Sequence, residues 1–135
     1  MSVPEGKRGQ GKLQVLVDAN ALAEYTIRIC KNPKIFLPEY QDAMTNDLIH
    51  DGKEIFIHAW AANSIRVSSD RDAEQRKELQ NQAIMDCDRL LAGIEIAHKL
   101  FHLSGKRVRY WSKMALDVKA ELRKWRNSDA KRYLG

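Results

Sequence analysis

The sequence predicts an all-α fold, an antiparallel up-down-up-down four-helix bundle. Three observations predict it. Apolar residues recur at steps of three and four in four separate stretches. The breaks between those stretches are short and rich in proline, serine or glycine. No alternating run of β-branched residues bounded by turns interrupts them. With 135 residues, 44% hydrophobic and 30% charged, the chain has the size and composition of one globular domain that needs no metal or disulfide staple.

The first helix is expected over Leu13–Cys30, with Leu13, Leu16, Asn20, Ala23, Ile27 and Cys30 on one stripe. Asn20 is then a polar residue in an apolar seam, a device that fixes register. "KNPKIFLPE" breaks the chain with two prolines in nine residues. The second helix begins at Pro38, a residue suited to the first helical position, and Glu39 suits the positive end of its dipole. It runs to about Ala62 with two apolar faces. Met44, Leu48, Ile55, Ala59 and Ala62 form one; Ile49, Phe56 and Trp60 form the other. Gly52 costs roughly 1 kcal/mol against alanine in mid-helix and marks a close helix approach.

"NSIRVSSDRD" is the next break, where Ser68, Ser69 or Asp70 can cap a third helix, Arg71–Phe101. Its stripe is Ala83, Cys87, Leu90, Ile94, Ala97 and Phe101, and "HLSGK" ends it with Gly105. The fourth helix is "VRYWSKMALDVKAELRKWRNSDAKRY", with Val108, Trp111, Ala115, Val118, Leu122 and Trp125 as its seam. The first stripe answers the fourth and the second answers the third. The domain is expected over residues 13–130, between a flexible basic tail at 1–12 and a short tail at 131–135.

Cys30 and Cys87 fall on apolar registers without metal-ligand spacing, so they read as buried thiols in a reducing cytoplasm. The start, "MSVPEGKRGQGK", lacks the apolar core of a signal peptide, and no stretch has the ~18 apolar residues of a membrane span. The net charge is +5 and unevenly spread. Residues 106–135 carry ten cations against three anions, whereas residues 13–105 carry ten against fourteen. That asymmetry points to a polyanion or an acidic protein.

Catalytic signatures are missing. His50, Glu54 and His58 share a helix face, and Glu95–His98 has the i, i+3 spacing of dimetal bundles, with Glu24 and Glu121 as further carboxylates. One correctly spaced pair does not make a dimetal site, and no phosphate loop or nucleophile motif accompanies it. The expectation is no metal, no cofactor and no catalysis. The fourth helix is the strongest functional feature. Lys106, Arg109, Lys113, Arg123 and Lys124 lie opposite its seam, and Arg107, Lys119 and Arg126 flank it. These eight are the expected nucleic-acid-binding residues, with Tyr110 placed to stack on a base or to close the bundle edge. Without a helix-turn-helix or zinc-finger pattern, they would hold backbone phosphate rather than read sequence. Ile49, Phe56 and Trp60 are the expected oligomer interface.

"YTIRICKNPKIFLPEYQDAMTNDLI", "LLAGIEIAHKLFHLSGKRVRYW" and "LRKWRNSD" together resemble the four-helix proteins of the 23S rRNA intervening-sequence family. They are most similar to its branch of accessory variability determinants in diversity-generating retroelements. Where the wider family often has Asn-Ile-x-Glu-Gly, this chain has "HAWAAN". The resemblance implies a homopentamer of bundles with a positive surface. It also implies a non-catalytic partner of the retroelement reverse transcriptase that binds RNA or DNA during mutagenic cDNA synthesis. The alternative is a structural adaptor whose basic face meets an acidic protein.

Overall fold

A computed structural model describes the backbone of residues 3–134 and the side chains of residues 14–134. Four long helices carry the fold: α1 Val3–Cys30, α2 Asn46–Ser64, α3 Asp70–Leu100 and α4 Gly105–Asp129. The described residues contain no strand. Each helix packs on the next in the chain, and α4 also packs on α1. No described helix is long and apolar enough to cross a membrane.

The stripes of α2, α3 and α4 bury as their spacing predicts. Leu48, Ile55, Ala59 and Ala62 of α2 are buried, as are Ala83, Cys87, Leu90, Ile94 and Ala97 of α3. All six seam residues of α4 join the same core. The α1 stripe is different. Val15, Ala19, Leu22, Thr26 and Ile29 form the main buried row, with Leu16, Ala23 and Cys30 beside it. Asn20 is therefore not in the seam. It is exposed and donates to Glu24 Oε2 at 3.0 Å. The polar residue inside the core is Thr26, whose Oγ1 accepts from Trp111 Nε1 at 3.0 Å. A threonine hydroxyl with a buried donor satisfies both groups, whereas buried Asn20 would need several partners. Leu13 lies outside the residues with described side chains.

Local starts and stops differ from the expectation in three places. The segment after Pro38 opens as a 3-10 turn, Pro38–Tyr40, and then a π-helical turn, Gln41–Thr45, before α2 proper. Gly105 does not end α3. The chain leaves α3 at Phe101, and His102 takes the left-handed conformation (φ 54°) that terminates a helix. Gly105 is instead the first residue of α4, capped by Ser104 Oγ, which accepts from Arg107 N at 3.2 Å. At the other end of α3, Ser69 is the cap, accepting from Asp72 N at 3.1 Å.

The α1 backbone starts at Val3, within the stretch read as a tail over residues 1–12, whose side chains lie outside the described residues. At the far end, Ala130–Leu134 forms a π-helical turn that packs on α3. The Arg76 guanidinium sits 5.9 Å from the centre of the Tyr133 ring. That contact ties part of the expected 131–135 tail to the helices.

Gly52 does mark a close approach. A Cβ placed there would lie 2.9 Å from Thr26 Cγ2, so α1 and α2 touch where the side chain is missing.

Candidate nucleic-acid interface

The burial of Val108, Trp111, Ala115, Val118, Leu122 and Trp125 fixes the rotation of α4 and hence which cations face outward. Lys106, Arg109, Lys113, Arg123 and Lys124 are all exposed on the side away from the seam. Lys113 Nζ donates to Asp117 Oδ2 at 2.7 Å, an exposed i, i+4 pair that solvent weakens and a phosphate can displace. Arg109 folds back so that its Nη1 lies 3.0 Å from where a Gly105 Cβ would stand.

The other three expected binders are held by neighbouring helices. Lys119 Nζ reaches across to Asp88 Oδ1 of α3 at 2.6 Å. Arg126 Nη1 donates to Asn81 Oδ1, also on α3, at 2.9 Å. Arg107 turns the opposite way, toward the Tyr25 hydroxyl of α1; burial raises the Tyr25 pKa and Arg107 opposes that rise. The eight residues thus divide into five outward cations and three tied to α1 or α3.

The outward row is not continuous. Lys106, Arg109 and Lys113 make one group, and Arg123 and Lys124 make another, about 15 Å further along at 1.5 Å per residue. Leu116, Asp117 and Ala120 occupy the outer face between them. Leu116 is 52% exposed.

An acidic recess borders this face on the α1 side. Asp18, Ala21, Met114, Asp117, Val118 and Glu121 line a cavity of about 200 Å³. Burial, together with a hydrogen bond and repulsion from Asp18, pushes the Glu121 carboxyl up to about 7. A third carboxylate, Asp117, adds to the repulsion. The recess therefore retains a proton at a pH where ordinary carboxylates have lost theirs.

The histidine-rich face of α2 is used differently from its spacing. His50 Nε2 lies 3.8 Å from Glu54 Oε1, but His58 leaves that row and shares a hydrogen bond of 2.6 Å between its Nδ1 and Asp86 Oδ2 of α3. Burial raises the Asp86 pKa and His58 opposes that rise. Glu95 is exposed, His98 is half-buried, and Glu24 bonds to Asn20 and Arg28. No three His, Cys, Asp or Glu side chains among the described residues are grouped to hold a metal ion. Cys30 and Cys87 are both buried free thiols, each pushed up to about 12 by that burial.

The second α2 face is only partly open. Ile49 and Phe56 are half-buried and pack against the core, whereas Trp60 is 58% exposed. The Phe56 and Trp60 rings lie 5.7 Å apart.

One polar cluster was missed in the sequence. Arg76 Nε and Gln80 Nε2 both donate to Asp129 Oδ2 at 2.7 Å, and Arg76 Nη1 donates to the Ile65 carbonyl at 3.1 Å. The signal was present. Ala73, Arg76 and Gln80 continue the Ala83–Cys87 register backward, and Asp129 continues the Leu122–Trp125 seam forward. Opposite polar groups on two seams that meet are a buried ion pair.

Compared with known protein families, with curated proteins and with solved structures, the chain matches none.

Proposed function

We propose that this chain is a non-catalytic accessory protein that binds nucleic acid through the outward face of α4. In this reading it serves a diversity-generating retroelement, binding the reverse transcriptase and supporting mutagenic cDNA synthesis. The observation that carries the nucleic-acid part is the set of five exposed cations on the side of α4 that its core seam leaves free. The retroelement part rests on the resemblance of the three quoted sequence runs to the accessory variability determinants. The same reading takes the helices as an antiparallel up-down-up-down bundle. Short connections support it, as does the Trp111–Thr26 bond between α4 and α1. It takes the assembly as a cytoplasmic homopentamer, with exposed Trp60 and the neighbouring Phe56 and Ile49 in the interface.

Binding of RNA and DNA oligonucleotides, titrated with salt, tests the function. Log affinity should fall against log salt with a slope of about 0.7–0.9 per phosphate neutralised. A flat response, or no binding, rejects the nucleic-acid reading. A reverse-transcriptase gene with a template repeat beside this one, and co-purification of the two products, test the retroelement part, and light scattering tests the assembly, which a monomer mass would reject.

A second reading is favoured by one specific observation. Leu116 stands exposed between the two cationic groups, an arrangement that suits an acidic protein surface with an apolar centre. On that reading the chain is an adaptor without a nucleic-acid role. Leu116→Lys separates the two, since it should strengthen oligonucleotide binding and weaken a protein complex.

A further inference from the structure

Tyr110 is 58% exposed, although it belongs to a helix whose aromatic seam residues are buried. Its ring is buttressed from beneath. The Tyr25 ring lies 5.3 Å away at 63°, an edge contact, and Tyr25 in turn meets Trp111 at 6.2 Å and 68°. Trp111 is fully buried and anchored by its bond to Thr26. The exposed ring is therefore the outer member of a chain of three aromatics rooted in the core. Contact with Tyr25 across the α1–α4 edge accounts for the covered part of the Tyr110 ring and leaves the rest of it open.

The surroundings of Tyr110 narrow its use. On a helix surface the neighbours of a residue are those three and four positions away. For Tyr110 these are Lys106 and Arg107 on one side and Lys113 and Met114 on the other. Three of the four are cations, and no carboxylate occupies any of the four positions. A rigid aromatic surface ringed by cations fits a base and its flanking phosphates. It fits them only when the base is unpaired, because a duplex keeps its base faces stacked inside. Holding the ring in place beforehand also lowers the entropy lost on binding.

We infer that Tyr110 is a stacking platform for an unpaired base, so that the α4 face takes single-stranded nucleic acid in preference to duplex, with the outward Lys106 and Lys113 holding the adjoining phosphates. This rests on the nucleic-acid reading above and adds the strand form and the residue that selects it.

The test uses the full chain and four labelled probes of equal length. They are oligo-uridine, oligo-thymidine, an abasic strand with the same phosphates, and a duplex. Circular dichroism first establishes that Tyr110→Ala and Tyr110→Trp remain folded. Tyr110→Ala should weaken binding of the uridine or thymidine strand at least about fivefold, the contribution of a weak base–aromatic stack. Its affinity for the abasic strand and its salt slope should not change. Tyr110→Trp should bind as well as the wild type or better. The inference is overturned if Tyr110→Ala binds every probe as the wild type does, if it weakens on the based and abasic strands equally, or if the wild type prefers the duplex. In those cases the nucleic-acid reading survives. If the wild type binds none of the probes, both fail together.

Discussion

Arg76 Nε lies 2.7 Å from Asp129 Oδ2, with both side chains buried between α3 and α4. This pair closes the end of the core where α4 gives way to its terminal turn. Gln80 donates to the same oxygen, and the Arg76 guanidinium lies 5.3 Å from the centre of the Trp125 ring. Removing one member leaves a charge without its partner in a dry site. Asp129→Ala should therefore cost about 3–5 kcal/mol, whereas replacing Arg76, Gln80 and Asp129 together with Met, Leu and Leu should be neutral or stabilising. Urea unfolding of the two variants decides it. Equal destabilisation in both would mean that shape, and not charge pairing, governs this end.

The α1–α2 approach at Gly52 gives an opposing pair of effects. Helix propensity favours alanine there by roughly 1 kcal/mol. The new Cβ would meet the stiff Thr26 side chain at 2.9 Å, and overpacking of that kind costs about 1–3 kcal/mol. Gly52→Ala should thus destabilise the protein. In a Thr26→Ser background part of that destabilisation should vanish, because serine lacks the methyl at 2.9 Å and keeps a hydroxyl for Trp111, while its Cβ and Oγ still stand in the way at 3.0 and 3.2 Å. A thermal melt in which Gly52→Ala stabilises the wild-type background would refute the close packing.

His102 offers a gain. A non-glycine residue in the left-handed region costs roughly 1–2 kcal/mol, and His102 holds φ 54° on an exposed turn. His102→Gly should raise stability by about 1 kcal/mol, read as a higher urea midpoint with an unchanged slope. An unchanged or lower midpoint would show that the histidine side chain compensates for its backbone.

The acidic recess predicts a pH dependence. Glu121 is raised from 4.5 to about 7, first by burial and then by Asp18. A raised carboxyl binds its proton more tightly in the folded chain than in the unfolded one. Its stabilising contribution is fully present below about pH 4.5 and is lost as pH rises through about 7. Stability measured across this window should fall more steeply in the wild type than in Glu121→Gln, where the amide cannot ionise. Identical pH profiles would place the proton elsewhere.

Much of the fold was legible because burial follows spacing. The α4 seam could be read directly, since Val108 to Trp125 never leave steps of three and four and no second register competes. In α1 two registers compete. Leu16–Ala23–Cys30 belongs to both the expected and the observed buried rows, but the main row is Val15–Ala19–Leu22–Thr26–Ile29, and a one-position rotation moved Asn20 out. The site was half legible. A helical wheel separates outward cations from flanking ones, but it contains no neighbouring helix. The partners that claim Lys119 and Arg126, namely Asp88 and Asn81, lie more than thirty residues away in the chain. The same limit hid His58–Asp86, where the α2 spacing pointed to Glu54.

That division of the cations yields the last prediction. If the outward face is the one that meets phosphate, then Arg123 and Lys124, both exposed on it, should matter for binding and little for folding. Replacing both with glutamate should lower affinity for RNA and DNA across sequences, since backbone contacts carry no sequence information. The salt slope should drop by roughly 0.7–0.9 for each phosphate that is no longer neutralised. Lys119 and Arg126 should behave in the opposite sense. Their replacement by alanine breaks the bonds to Asp88 and Asn81, at a cost of up to about 1 kcal/mol each. Binding should change little, because these side chains are already engaged with α3. The measurement sets the two double variants beside the wild type in salt-titrated binding and in urea unfolding. If the Lys119 and Arg126 variant bound more weakly than the Arg123 and Lys124 variant, the binding surface would lie in the α3–α4 groove and not on the outward face.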